Sequence, residues 1–454
     1  MRITTALSAA TRWSSFAVLL VLGVPAVSHG EAFRVLDQGA AASGQGTAFA
    51  AQADDPSALH YNPAGMTQLQ GVQFYGGLLL VGGSYNYTSP AGANYKGDLD
   101  GSIAWPPPIH FYLTASLDKY DIGFLKNLTL GIGVNSPYGL MINWPQNVPF
   151  SALDTRATLP MLDIKPTMAY RFNDYLSIGG GLDIYTFASI AGEGAGQVNS
   201  FIPPSTNVEL RVKDTAVGYN VGVMLTPWRT DGKPRLNLAF VYRSQTTLNL
   251  NGNFLVNGGL LADARVDFTL PNIYTGAVAY WPIRDEEREW KLEVDIDYAD
   301  WHSFKQLNIQ LSNGVTLPEP RNWNGVFIAH VGTEYKWLRP AVLPDWEVAA
   351  RFGYIRSQTP VPEQTFEPAV PDANYNSFSV GLGFLCKDQG RFLGFIKCTT
   401  PIIGPVGIKG IGFDVAYKNQ IYESRTITNN IRPIVNGTYD TILHAGVMSL
   451  RINF

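Results

Sequence analysis

Residues 290–298 set the strongest constraint on the fold of this chain. Trp290, Leu292, Val294, Ile296 and Tyr298 alternate with Lys291, Glu293, Asp295 and Asp297. A period of two is a strand signal, and here one face is apolar while the other is fully charged. The same contrast recurs in Leu236, Leu238, Phe240, Tyr242 and in Trp346, Val348, Ala350, Phe352, Tyr354. An apolar strand face must meet either a second sheet or lipid. Charged residues make up only 15% of the chain, against roughly 25% in soluble proteins. Aromatics reach 12%. Nothing after residue 30 approaches the roughly 20 apolar residues of a membrane helix. The class that satisfies all of this is a closed transmembrane β-barrel, whose backbone pairs internally and whose apolar face meets lipid.

Alternating runs between turn signals predict strands at 72–87, 109–117, 127–144, 161–172, 175–190, 208–226 and 235–251. Seven more are expected at 264–280, 289–311, 324–337, 345–358, 376–386, 411–426 and 440–454. The fold class is therefore all-β, a 14-stranded antiparallel barrel over 71–454. An even strand count puts both ends of the barrel on one side, the periplasm. Phe172-Asn173-Asp174 and 229–234 read as periplasmic turns; 88–108, 191–207 and 359–375 read as longer outer loops. The connection 387–410 breaks that rule, being periplasmic and long. The last strand carries Gly446, Met448, Leu450, Ile452 and Phe454 on one face, and an apolar strand ending on Phe454 is the mark expected for recognition by barrel assembly machinery.

Arg2 and Arg12 precede the uncharged run Phe16–Val27, with small residues following at Ala26, Ser28, Gly30 and Ala32. This pattern predicts a secretory signal peptide over 1–30, cleaved between 28 and 32. Export places the two cysteines, Cys386 and Cys398, in an oxidising compartment, where a local structural disulfide is expected rather than a metal site. The formal charge of −4 excludes a basic nucleic-acid footprint.

Residues 33–70 do not alternate. Ala, Ser and Gly dominate, and Asp54-Asp55-Pro56-Ser57 reads as a helix start. Irregular backbone cannot sit in lipid, and a 14-strand lumen needs filling. Segment 31–70 is therefore expected to plug the barrel. Asn62-Pro63-Ala64 reads as a turn that ends a helix, with Asn62 expected to bond the barrel wall. Gly131, Gly133 and Gly139, with Asn135, Pro137 and Tyr138, punctuate the third predicted strand. Proline removes a ladder donor, so an inward kink that opens the wall is expected there.

The chain resembles the FadL family of outer-membrane transporters for fatty acids and other hydrophobic compounds. Gly44-x-Gly46-x-Ala48-Phe49, Ala53-Asp54-Asp55 and Asn62-Pro63-Ala64 are similar to that family's N-terminal hatch, to which the resemblance also assigns Phe33. Asn135-Ser136-Pro137-Tyr138-Gly139-Leu140 resembles its kinked third strand. Tyr170-Arg171-Phe172-Asn173-Asp174, Asp300-Trp301-His302-Ser303-Phe304 and Thr359-Pro360-Val361-Pro362 with Pro371-Asp372 resemble later stations of the barrel. The resemblance covers 33–454, except that the cysteine-bearing connection 387–410 departs from it. It implies uptake of a hydrophobic ligand, long-chain fatty acid or aromatic hydrocarbon, by lateral diffusion through the wall into outer-membrane lipid. It implies a monomer in the outer membrane of a Gram-negative bacterium, with no cofactor, metal or catalytic role. A fatty-acid carboxylate would need a polar partner, for which Arg156 and Lys165 are candidates. The alternatives are a hydrophilic porin, disfavoured by the plug, and a membrane hydrolase. For the latter the sequence holds no G-x-S-x-G elbow, Walker loop, zinc-binding histidine pair or dinucleotide fingerprint. Asp300, His302 and Ser303 are sequence neighbours, whereas a triad converges in space.

Overall fold

The strand Arg288–Asp300 is inside out by the standard of a soluble protein. In the computed structural model, Lys291, Glu293, Asp295 and Asp297 are 1–5% exposed, while Trp290, Leu292, Val294 and Ile296 are 36–40% exposed. Charges inward and hydrocarbon outward is the arrangement of a wall facing lipid. The structure describes residues 31–120, 122–187, 194–403 and 406–454; the expected signal peptide, 1–30, lies outside the described residues.

Fourteen wall strands run in chain order. They are β1 (Val72–Thr88), β2 (Ile109–Ser116), β3 (Leu128–Asn135), β4 (Leu162–Arg171), β5 (Leu176–Thr186), β6 (Ala216–Thr230) and β7 (Lys233–Arg243). Then follow β8 (Asn272–Arg284), β9 (Arg288–Asp300), β10 (Val326–Trp337), β11 (Trp346–Ser357), β12 (Tyr375–Cys386), β13 (Gly410–Tyr422) and β14 (Gly437–Asn453). Each pairs antiparallel with its neighbours, and β1 pairs with β14 from Gln73↔Asn453 to Thr88↔Thr438, closing the ring. Short strands Asn94–Gly97 and Arg425–Ile427 extend this sheet above β1 and β14.

Several expected strands are in fact two. The run 208–226 divides into Thr206–Lys213 and β6, 235–251 into β7 and Thr246–Val256, and 264–280 into Gly259–Leu270 and β8. The run 289–311 stops at Asp300 and resumes as Ile309–Leu311, and 127–144 stops at Asn135 and resumes as Met141–Asn143. The detached pieces are not wall. With Gly196–Ile202, Arg156–Thr158 and Thr316–Leu317 they form a second, eight-stranded sheet over the loop end. Its buried face carries Leu210, Val212, Leu248, Leu250, Val266 and Phe268.

The opposite end has short turns. Asp231 (φ 52°) and Gly232 (φ 75°) form a two-residue hairpin turn between β6 and β7. The connection from β12 to β13 is much longer; it holds the hairpin Arg391–Phe392/Ile396–Lys397 and is stapled by a Cys386–Cys398 disulfide with both residues fully buried.

Candidate functional site

The N-terminal residues lie against the inner face of the wall, and their small side chains are the reason they fit. Two single-turn helices, α1 (Ala40–Ser43) and α2 (Ala58–Tyr61), and a 3-10 turn (Pro63–Gln68) are joined by irregular chain. A Cβ on Gly381 of β12 would stand 2.9 Å from the Cα of Gly44. Gly46 has φ +61°, a conformation that favours glycine, and a Cβ there would lie 2.8 Å from the backbone N of Tyr354.

Backbone that is neither helix nor sheet must find other hydrogen-bond partners when buried. Strand β9 supplies them. Asp295 Oδ2 accepts from the N–H groups of Phe49 (2.9 Å) and Ala50 (3.0 Å), and Glu293 Oε1 from those of Ala51 (2.7 Å) and Gln52 (3.2 Å). Lys291 Nζ donates to Ala48 O (3.1 Å) and to Glu293 Oε2 (2.7 Å). Asn237 of β7 donates to Ala51 O at 2.9 Å. Ion pairs Arg34–Asp297 (2.6 Å), Lys336–Asp54 (3.0 Å) and Lys418–Asp37 fix the segment at three further points. Asp55 acts within the segment: it accepts from Ser57 N (2.8 Å) and Oγ (2.5 Å), and burial pushes its carboxyl up to about 6.

The expectation that Asn62 bonds the wall is corrected by its geometry. Its Nδ2 donates to Ala50 O (2.8 Å) and its Oδ1 accepts from Ala64 N (3.1 Å), both inside the segment. The wall meets Asn62-Pro63-Ala64 by shape instead. A Cβ on Gly222 would stand 2.2 Å from Asn62 Oδ1, and one on Gly179 would stand 2.4 Å from the carbonyl carbon of Pro63.

The glycine-rich third strand also differs from expectation. Gly131 and Gly133 sit in a regular ladder, opposite Thr114 and Tyr112 on β2 and opposite Thr167 and Lys165 on β4. They do not break the strand. A Cβ on Gly131 would lie 2.7 Å from Met66 Cε, and one on Gly133 would lie 2.6 Å from the Tyr112 ring, so these glycines make room for packing. The chain leaves the wall only after Asn135, whose amide donates to Gln38 Oε1 at 2.9 Å. Ser136–Gly139 then turns inward and pairs with the N-terminal chain. Val35 N donates to Pro137 O (2.8 Å), Gly139 N donates to Phe33 O (2.9 Å), and Arg34 and Tyr138 are bridged.

A cavity of about 870 Å³ occupies this break. Phe33, Leu36, Tyr138 and Leu443 line its inner part, whereas Trp105 and the lipid-facing Phe111 line its outer part. The lining is mostly apolar with a few fixed polar groups, as in sites for hydrophobic ligands. Of the two candidate cations, Arg156 lines the cavity and Lys165 does not. Arg156 is held by Asp100 (3.0 Å) and by Gln197 (2.7 Å). Lys165 is buried between Asp163 (2.9 Å) and Asp183. At the cavity rim Asp372 accepts from Ala32 N (3.0 Å) and Thr359 Oγ1 (2.5 Å), and burial pushes its carboxyl up to about 6.

Phe33 closes the far side of this cavity from within an aromatic cage. Its ring centroid lies 5.0 Å from Trp301, 5.2 Å from Phe268 and 5.6 Å from Trp323. Trp301 and Phe304 of the sequence Asp300-Trp301-His302-Ser303-Phe304 thus anchor the loop-end sheet. Ser303 Oγ turns to the Asp300 carbonyl at 3.2 Å, and the imidazole of His302 pairs with the Asp300 carboxylate at 2.8 Å. Sequence reasoning missed the carboxylate cradle and the wall glycines. Its available signal was the charged face of β9, since lumenal charges need partners.

Comparison with known proteins adds three findings. Residues 23–391 match the family described as outer membrane protein transport protein (OMPP1/FadL/TodX). The long-chain fatty acid transport protein of Salmonella typhi is 23% identical over 373 residues, covering 75% of this chain and 81% of that protein. Among solved structures, a Pseudomonas aeruginosa FadL homologue superposes with a TM-score of 0.70 at 17% identity, covering 93% of this chain and all of the other. The toluene transporter TodX of P. putida gives 0.61 at 16% identity, covering 92% of this chain and 98% of its own.

Proposed function

The chain belongs to the outer membrane protein transport family (OMPP1/FadL/TodX), and from that membership we propose that it takes up hydrophobic compounds and releases them sideways through its wall. The observation that carries this is the cavity at the break after Asn135, lined on one side by buried residues and on the other by the exposed loop residue Trp105 and the outward-facing Phe111. In this reading residues 31–70 are the hatch and 71–454 the barrel. The hatch blocks the direct path to the periplasm, and the wall provides the alternative.

Energetics favour the sideways route. A sixteen-carbon chain released into water would forfeit more than about 10 kcal/mol, at roughly 0.8 kcal/mol per methylene. Release into the hydrocarbon of the same membrane avoids most of that cost. Two substrate classes fit an apolar cavity, long-chain fatty acids and aromatic hydrocarbons, and Arg156 separates them. A carboxylate would exchange with Asp100 for the Arg156 guanidinium; toluene has nothing to offer it. Arg156→Gln should therefore weaken fatty-acid uptake by about 5–30-fold and leave toluene uptake unchanged if the substrate is the acid.

The test of the route is deletion of Ser136-Pro137, which draws Asn135 toward Leu140 and shortens the inward excursion. Labelled fatty acid and toluene uptake would be measured in cells lacking other transporters, with folding checked by heat-modifiable gel mobility. Loss of uptake in a folded variant is the expected result. Uptake at the normal rate would refute the lateral route.

A further inference from the structure

The hairpin inside the disulfide staple has a composition its fold does not require. Arg391 and Lys397 are directly opposite one another on a two-stranded ribbon, as are Phe392 and Ile396. Like charges placed opposite each other oppose ribbon formation. Among the described residues neither cation forms an ion pair. At the tip, Leu393 and Phe395 are 70% and 69% exposed, with Gly394 between them. Leu393 has φ 54°, a left-handed conformation that a bulky residue adopts only at a cost and that glycine or asparagine would take readily. Two cations with no ion pair among the described residues and an apolar tip in an unfavourable backbone conformation point to something outside the chain.

The position of the ribbon identifies it. Trp346 begins β11 on the same face as Phe352, which is outward and half exposed, so Trp346 belongs to the lipid-facing surface at the turn end of the barrel. The Phe392 ring stacks on Trp346 with centroids 6.3 Å apart and planes 28° from parallel. The ribbon therefore lies over the outer rim of the barrel, not beneath its lumen. The staple holds it there, since Cys386 ends β12 and Cys398 follows the ribbon by one residue.

We propose that the stapled hairpin Arg391–Lys397 is a membrane-docking element that seats Leu393 and Phe395 in the periplasmic leaflet while Arg391 and Lys397 hold the phosphate of an anionic phospholipid. A bridging phosphate converts the opposed cations from a liability into a bidentate clamp. Apolar tip residues flanked by cations are the pattern of interfacial anchors, where buried hydrocarbon and attraction to anionic lipid add.

The test uses the full chain in nanodiscs of phosphatidylethanolamine with and without phosphatidylglycerol. Phe395 is replaced by trifluoromethyl-phenylalanine, and its fluorine signal is exposed in turn to a nitroxide carried on lipid and to a water-soluble paramagnet. Broadening by the lipid nitroxide with protection from the soluble agent is expected. In native mass spectrometry the double variant Arg391→Gln/Lys397→Gln should retain phosphatidylglycerol on the order of tenfold less than the parent. Gel mobility and the absence of free thiols confirm that the variants are folded and stapled. Equal access of the soluble agent in both nanodiscs, or unchanged lipid retention, overturns the proposal. Exposure in nanodiscs with protection only in intact outer membranes also overturns it, and assigns the hairpin to a periplasmic protein instead.

Discussion

Asp295 and Glu293 between them accept four backbone N–H groups from Phe49–Gln52, and this makes them more consequential for the N-terminal segment than the Asn-Pro-Ala turn. Asp295→Ala leaves two buried main-chain N–H groups without their acceptor and should loosen the segment by about 2–4 kcal/mol. The readout is steady ion conductance in planar bilayers, near zero for the parent and measurable for the variant. Asn62→Ala removes bonds that stay within the segment, costing about 1–3 kcal/mol locally, and should conduct less than Asp295→Ala. Asp372 adds a pH dependence. Burial holds its carboxyl near 6 against an ordinary 3.8, so the folded rim binds the proton more tightly than the unfolded chain does. Its stabilising contribution is complete below the unfolded value and is lost as pH rises through about 6. Hydrogen exchange at Ala32, corrected for intrinsic rates, should be slower near pH 5 than near pH 7, and Asp372→Asn should flatten the difference.

Among elements, the wall strands that carry glycine on their inner face are the ones the segment touches most closely. Gly222→Val places carbon where Asn62 and Pro63 already stand, and overpacking of that kind costs roughly 1–3 kcal/mol. The expected outcome is a folded barrel with a displaced segment, seen as antibiotic sensitivity of whole cells with unchanged gel mobility. The strand count was legible in the sequence because turns interrupt every run, but the division between wall and loop-end sheet was not. Leu236, Leu238, Phe240 and Tyr242 face lipid in β7, and the same parity continues through Leu248 and Leu250, which face a protein core. One uninterrupted period of two serves two opposite environments, so periodicity alone cannot show where the membrane ends. A second signal was present: on the other parity, Asn237 and Arg243 face the lumen in β7, whereas Thr247 and Asn249 beyond it face solvent. The break after Asn135 was legible through Pro137, and the surrounding glycines misled because close approach and bending leave the same trace in a sequence. The carboxylate cradle was hidden because its partners are main-chain groups some 240 residues away.

At the scale of the molecule, the disulfide tethers a rim feature and not the barrel. With a sequence separation of 12, it contributes at most about 3 kcal/mol by loop closure. Cys386→Ser/Cys398→Ser should leave barrel mobility on gels unchanged while raising protease cleavage within 387–397. The ring itself closes where its first strand meets its last, the contact of longest range in the wall and the one with the greatest loop-closure entropy to overcome. The N-terminal segment touches both sides of that seam: Ala41 N donates to Tyr75 OH on β1 at 3.2 Å, and Ala40 N donates to Ser449 Oγ on β14 at 3.0 Å. It is also covalently continuous with β1. Contacts to both strands would let the segment act, during biogenesis, as a tether that brings the late-made strand to the early one. A chain lacking 31–69 should then linger as an unclosed sheet, running at the position of the unfolded band long after the intact chain has shifted. The segment, on this account, is the latch that shuts the barrel around it.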